Sequence, residues 1–277
     1  MALPTSICTR FIRDGIPMII IKSLRELELM RESNRVVAEA LQELAKNVAA
    51  GITTEELDGI AEEHIRRRGG VPAFKGYRGY PASLCISVNE EIVHGIPGSK
   101  KLQDGDIVSL DLGVLLNDYY GDAAITVAVG SVSPQVQKLL QVTENALYKG
   151  IEQALVGNRL LDISRAIQGT VEAQGFSVVR DFVGHGIGRS LHEEPQIPNF
   201  YSPTAYNPRL KEGMVFALEP MVNEGTYQMK ILEDEWTAVT ADRKLSAHFE
   251  HTVAITRNGP WILSSLNDEK KSLDLAG

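Results

Sequence analysis

The sequence predicts an α+β protein made of two similar halves whose strands join into one curved, mainly antiparallel sheet with helices on its outer face. Three observations lead there. Helical and strand-like runs follow the order helix, helix, strands, and that order recurs in the second half. Gly51, Leu57, Ile60, Ile65 and Gly69 have apolar or glycine counterparts at Gly157, Ile163, Ala166, Val171 and Gly175, every pair offset by 106 residues. At 277 residues and 43% hydrophobic, the chain can bury a core large enough for such a pair of fused halves.

The elements follow in order. Ser23 and Glu26 form a capping box that opens a long helix. Its apolar stripe is Leu27, Met30, Val37, Leu41, Leu44 and Val48, and Gly51 is expected to stop it. A second helix starts at Thr53 or Thr54 and runs to Gly69–Gly70. Strand-like runs occupy 83–88 and 91–95, then 106–116 and 119–130 around a turn at Asn117–Asp118. Ser133–Pro134 opens a third helix with proline at its first position. A fourth is expected from about Asp162 to Gly175, and FSVVRDF, MVFALEP, WTAVT and HTVAIT read mostly as strand.

Composition excludes several classes of function. With 28 basic against 36 acidic residues, the net charge of −8 argues against nucleic acid or an anionic membrane as the main partner. Two cysteines, Cys8 and Cys85, make no disulfide framework and match no zinc motif, which fits a reducing cytosol. PMIII is too short for a signal-peptide core, and no run approaches the ~20 apolar residues of a membrane span. A cytoplasmic protein is expected, and a monomer, since no long apolar patch demands a partner.

Charge in the wrong place is the strongest functional signal. Asp111 interrupts IVSLDLGVLL, Asp122 follows Gly121 in YGDAAITV, Glu219 ends VFALEP, and Glu250 sits in AHFEHTVAIT. A lone carboxylate in such a run costs several kcal/mol or takes up a proton. Together with His185 in VGHGIG, the four acids make sense if they converge on cations. One imidazole with four carboxylates suits Mn²⁺, Fe²⁺, Co²⁺ or Zn²⁺. Two ions sharing carboxylates balance the charge better than one, and such a pair supports hydrolysis of a peptide or amide. Read singly, Asp122 is also a plausible strand-end turn residue. Glu250 with His251 also fits a polar pair on a solvated face, and His185 a backbone hydrogen bond at a glycine-rich turn.

The runs DLGVLLNDYYGDAA, FVGHGIGRSLHEEP, FALEPM and HFEHT, in that order, resemble the pita-bread metallopeptidases. Within them, CISVNEEIVHGIP at 85–97 and EDEWTAVTADRKLSAHFEHT at 233–252 resemble the type I methionine aminopeptidases. The resemblance spans about 15–260. It implies a tail at 1–14, a catalytic domain over 15–262 with halves at roughly 23–130 and 131–262, and a second tail at 263–277. No additional N-terminal domain, zinc-finger extension or helical insertion before the FALEP glutamate is expected.

The resemblance also implies roles. Asp111 would ligate one metal and His185 with Glu219 the other, Asp122 and Glu250 bridging the two. Glu219 would also carry the proton of the attacking water. His192 would donate to the scissile carbonyl oxygen, and His94 would meet the nitrogen of the scissile bond. His248 and His251 are expected to be supporting or surface residues. Phe74, Tyr77, Tyr80, Cys85 and Trp236 would form an apolar pocket for a methionine side chain, although such aromatics also serve as ordinary core. Phe74 and Leu191 differ from the residues common in bacterial relatives. The implied activity is cotranslational removal of the initiator methionine from nascent chains, at the ribosome exit, when the second residue is small. An Xaa-Pro aminopeptidase of the same fold and a non-catalytic binding protein are the alternatives.

Overall fold

A computed structural model describes residues 18–267 of the chain. The expected tail at 1–14, Cys8 and most of the tail at 263–277 lie outside the described residues.

The first half contains α1 (Leu24–Asn47), α2 (Thr54–Arg67), β1 (Val71–Pro72), β2 (Leu84–Val88), β3 (Glu91–Val93), β4 (Ile107–Leu116) and β5 (Tyr119–Ala128). The second contains α3 (Pro134–Ile151), α4 (Leu160–Glu172), β6 (Ser177–Val178), β7 (Gly184–Gly186), β8 (Glu193–Ile197) and β9 (Val215–Leu218). It continues through β10 (Met221–Asn223), β11 (Met229–Ile231), β12 (Ala238–Thr240), β13 (Ser246–His248), β14 (Glu250–Thr256) and β15 (Gly259–Ile262).

Local chemistry sets the helix starts. At α1 the Glu26 N–H donates to Ser23 Oγ while the Ser23 N–H donates to Glu26 Oε2, and Thr53 with Glu56 repeats the exchange at α2. Ser133 caps α3 with proline at the first position. Two expected boundaries move. Helix α1 stops at Val48, which turns extended, and Gly51 serves instead in the following turn, where its N–H donates to Leu102 O. Helix α4 starts at Leu160, before Asp162, whose carboxylate accepts the Arg159 N–H from the third helical position.

The internal repeat is visible in the backbone. Gly51 and Gly157 have φ of 97° and 94°, and Gly69 and Gly175 have 77° and 82°, so each pair fills an equivalent left-handed turn. Asn117 and Asp118, both at positive φ, make the tight hairpin between β4 and β5.

The halves meet in a nine-stranded sheet ordered β1-β4-β5-β14-β9-β7-β8, with β2 on β4 and β15 on β14. Every pairing is antiparallel. The seam is β5 against β14, where Ala124 faces Glu250. Two further sheets, β13-β10-β6 and β11-β12-β3, take up segments expected to join the main one. Alternation along the strands sorts the faces. Leu110, Leu112, Val114 and Ala123 pack with Val37, Leu41, Leu57 and Ile65 of α1 and α2. Phe216, Leu218, Val253 and Ile255 pack with Leu139, Ala146, Ile163 and Ile167 of α3 and α4. Helices therefore cover one face, as expected, and the other is left for chemistry. No helix of the described residues is long and apolar enough to cross a membrane.

Candidate metal centre

Register places all five expected ligands on the uncovered face. Asp111 pairs with Ala124, and Asp122 lies two residues along β5 from Ala124, so the two aspartates share a face. Glu250 also pairs with Ala124, which carries that face across the seam. On β14, Thr252 lies two residues beyond Glu250 and pairs with Ala217, which in turn pairs with His185. Glu219 follows two residues after Ala217, just past the end of β9. The two halves thus deliver their acids and imidazole to one spot.

The distances agree. Asp122, His185 and Glu250 each bring a ligand atom within 4.8 Å of the others. His185 Nε2 lies 3.5 Å from Glu219 Oε1 and 3.8 Å from Asp122 Oδ2. The other ring nitrogen, Nδ1, donates to Gly186 O at 2.9 Å, which leaves the Nε2 lone pair aimed at the carboxylates. Asp122, His185 and Glu250 are each no more than 5% exposed. Backbone and neighbours hold the acids: Thr252 Oγ1 donates to Asp122 O at 2.7 Å, and Asn199 Nδ2 to Glu219 O at 3.0 Å.

These residues fit divalent cations. Asp111 Oδ1, Asp122 Oδ1 and Glu250 Oε1 are buried without a hydrogen-bond partner, a costly arrangement in an uncharged core. No Lys or Arg forms an ion pair with them among the described residues. Burial pushes Asp122 and Glu250 well above the usual carboxylate range, and repulsion adds to it, from Asp111 and Glu219 at Asp122 and from Asp122, Glu219 and Asp111 at Glu250. Glu219 moves the same way through burial and the Asp111 charge, and burial raises Asp111 to about 7. Burial lowers His185 to about 4, so its imidazole is neutral and free to ligate. Hard oxygen donors plus one imidazole match oxygen-preferring divalent ions.

All twelve residues expected at the site line one cavity of about 150 Å³, joined by Leu191 and Arg78. Its apolar side is Phe74, Tyr80, Cys85 and Leu191, all buried, with the half-buried Tyr77 and Trp236. Tyr80 donates to Gly95 O at 2.8 Å and meets the Trp236 ring edge-on at 5.1 Å, which makes this wall stiff. His192 stacks on Tyr77 and its Nδ1 lies 3.0 Å from the Tyr77 hydroxyl. The His192 and His185 rings are 4.2 Å apart. Burial, with added repulsion of a charged ring by His185, Arg78 and His94, lowers His192 to about 2. His94 has φ of 62°, and its ring meets Phe182 edge-on at 5.2 Å; burial lowers it to about 4. Both histidines are neutral at ordinary pH.

His248 is 1% exposed, so it is a supporting residue and no part of the surface. His251 bonds to Ser264 Oγ and faces Tyr148. Sequence reasoning passed over Arg78 and Phe182. A cation between Gly76 and Gly79 was the available signal for Arg78, whose own φ of 51° turns it over the Tyr77 ring. Phe182 read as one more strand residue.

Comparison with known proteins follows the same lines. The model of metallopeptidase family M24 matches residues 28–257. A methionine aminopeptidase of Clostridium perfringens is 58% identical over 247 residues, covering 89% of this chain and 99% of that one. Methionine aminopeptidase 1 of Bacillus subtilis is 57% identical over the same shares. The crystal structure of a methionine aminopeptidase from Thermotoga maritima superposes with a TM-score of 0.87 at 46% identity, covering 90% of this chain and all of that one.

Proposed function

The chain belongs to metallopeptidase family M24, and from that premise we propose that it removes the N-terminal methionine of new polypeptides. It is a metal-dependent aminopeptidase with the pita-bread fold. The observation that carries this reading is the single cavity in which a stiff apolar wall faces the buried Asp122 and Glu250, the half-buried Asp111 and Glu219, and His185. An Xaa-Pro peptidase is disfavoured by the relatives, which are methionine aminopeptidases over nearly their whole length.

Asp111, Asp122, His185, Glu219 and Glu250 would hold the divalent metal, whose charge their carboxylates would balance. Mn²⁺, Fe²⁺, Co²⁺ and Zn²⁺ all suit this donor set. When bound, such ions supply Lewis acidity and bring the pKa of a coordinated water toward neutrality. The protein side chains do the rest. Phe74, Tyr77, Tyr80, Cys85, Leu191 and Trp236 bury the methionine side chain, worth ~1.5–3 kcal/mol, with thioether–ring contacts in addition. A cavity of this order holds a benzene-sized group.

Neutral His192 keeps its proton on Nε2 by accepting at Nδ1 from Tyr77, and that N–H donates to the carbonyl oxygen as negative charge develops there. Glu219, an ionised carboxylate once cations balance the site, accepts the attacking water's proton and passes it toward the leaving amine. His94, packed between Phe182 and Trp236, faces the amide nitrogen and leaves little room for a bulky second residue.

Residues 15–262 form the catalytic domain in this reading, the halves dividing near 130. The protein acts as a monomer in the cytoplasm on nascent chains, near the ribosome exit, and binds no nucleic acid specifically. Activity on Met-Ala-Ser after chelation and separate add-back of Mn²⁺, Fe²⁺, Co²⁺ and Zn²⁺ tests the reading. Hydrolysis that returns with at least one ion supports it. Hydrolysis undiminished by chelation, or absent with every ion, overturns it.

A further inference from the structure

One buried ion pair lies outside the cavity yet one residue from it. Lys22, in the segment leading into α1, and Glu193, the first residue of β8, have side chains only 4% and 6% exposed. Lys22 Nζ donates to Glu193 Oε2 and, at 3.0 Å, to Ile20 O. The other carboxylate oxygen, Oε1, accepts the N–H groups of Arg189 at 2.9 Å and Ser190 at 3.4 Å. Glu193 therefore closes the turn 189–193 upon itself while Lys22 fixes that turn to the body of the protein. Lys22 is itself anchored, because its N–H donates to Gly213 O at 2.7 Å.

The packing is tight. A Cβ on Gly188 would stand 2.5 Å from Glu193 Oε1 and 2.6 Å from Lys22 Cε, so glycine is what lets the turn close over the pair. Within that turn sit Leu191, on the cavity wall, and His192, stacked on Tyr77.

A buried ion pair adds little net stability over an apolar pair of the same volume, because desolvation offsets attraction. What it does impose is one geometry, since neither charge tolerates losing the other. We propose that Lys22, through Glu193, is a positioning residue for His192, setting the direction of the imidazole toward the substrate's carbonyl. The proposal rests on the donor role assigned to His192 above. A displacement of about 1 Å at such a donor costs on the order of 100-fold in rate, so a contact remote from the substrate controls turnover.

The test uses the full chain with its metal. Lys22→Met is expected to lower kcat for Met-Ala-Ser by about tenfold or more, with KM and bound-metal content unchanged. Lys22→Arg should restore most of the loss. In a His192→Ala background the same Lys22→Met change should alter kcat less than about twofold, because the group it positions is gone. Equal losses in both backgrounds overturn the proposal, as does a loss that merely tracks the unfolded fraction. Should Lys22→Met fail to fold, Glu193→Gln keeps the shape and acceptor oxygen and takes its place in the same comparison.

A readout free of activity accompanies it. The His192 ring resonances in ¹⁵N-imidazole spectra should shift in the Lys22 variant while those of His64, on α2, stay put. Unmoved His192 signals sink the proposal. A wild-type chain that leaves Met-Ala-Ser intact sinks instead the functional reading on which it stands.

Discussion

Removing the cations from the centre should change how stability responds to pH. Without them, burial raises Asp111 from its ordinary value near 3.8 to about 7 and drives Asp122, Glu219 and Glu250 upward too. Between these values the folded chain binds more protons than the unfolded one. Stability is therefore undiminished below the unfolded pKa and is lost as pH rises toward the folded value. Each proton contributes a slope of about −1.4 kcal/mol per pH unit. For Asp111 alone, three units between pH 4 and 7 amount to on the order of 4 kcal/mol. That is a large share of the ~5–15 kcal/mol that holds a domain folded. The other three acids add to it in the same direction.

Urea unfolding of the chelated protein at pH 5, 6, 7 and 8 measures the effect, with the metal-loaded protein as the reference. The chelated curve should fall steeply with pH, and the loaded one should stay nearly flat, because the cations balance the ionised carboxylates. Parallel profiles for the two forms would refute the reasoning, since they would mean that the four acids are already compensated by the protein alone.

His192→Ala should reduce kcat for Met-Ala-Ser by about 100- to 1,000-fold, the usual loss of an oxyanion donor, with little change in Tm; steady-state kinetics and a thermal melt check both. Met-Ala-Ser, Met-Val-Ser and Met-Leu-Ser should fall in that order of kcat/KM, and equal rates would refute the size rule argued from His94. Gly121→Ala should destabilise by roughly 1–3 kcal/mol. Its Cβ would stand 2.7 Å from the Asn34 backbone nitrogen, where α1 crosses β5, and an unchanged melt would show that the helix yields there at no cost.

Much of the architecture was legible in residues near one another. Ser23 with Glu26 and Thr53 with Glu56 announced their helices, since a capping box lies within four residues. The 106-residue offset between glycines located equivalent turns because only a left-handed conformation selects that residue so strongly. Asp111 and Glu219 were conspicuous as charges among apolar neighbours. What joins them was not legible: period-two alternation assigns a face within one strand, but the pairing of Ala124 with Glu250 links segments far apart in the chain. Short strands such as β6 and β7 offer too few residues for any period. Lys22 and Glu193 stand 171 residues apart, and nothing local in the sequence shows that both are buried. The end of α1 was misjudged because a glycine stood nearby, while the extended backbone at Val48 was what ended it.

Anomalous diffraction from crystals of the protein loaded with Mn²⁺ addresses the centre most directly. Two peaks should appear about 3.5–4 Å apart, both touching Asp122 and Glu250, with Asp111 beside one and His185 with Glu219 beside the other. Peaks away from these side chains, or none at all in protein that hydrolyses Met-Ala-Ser, would contradict the account.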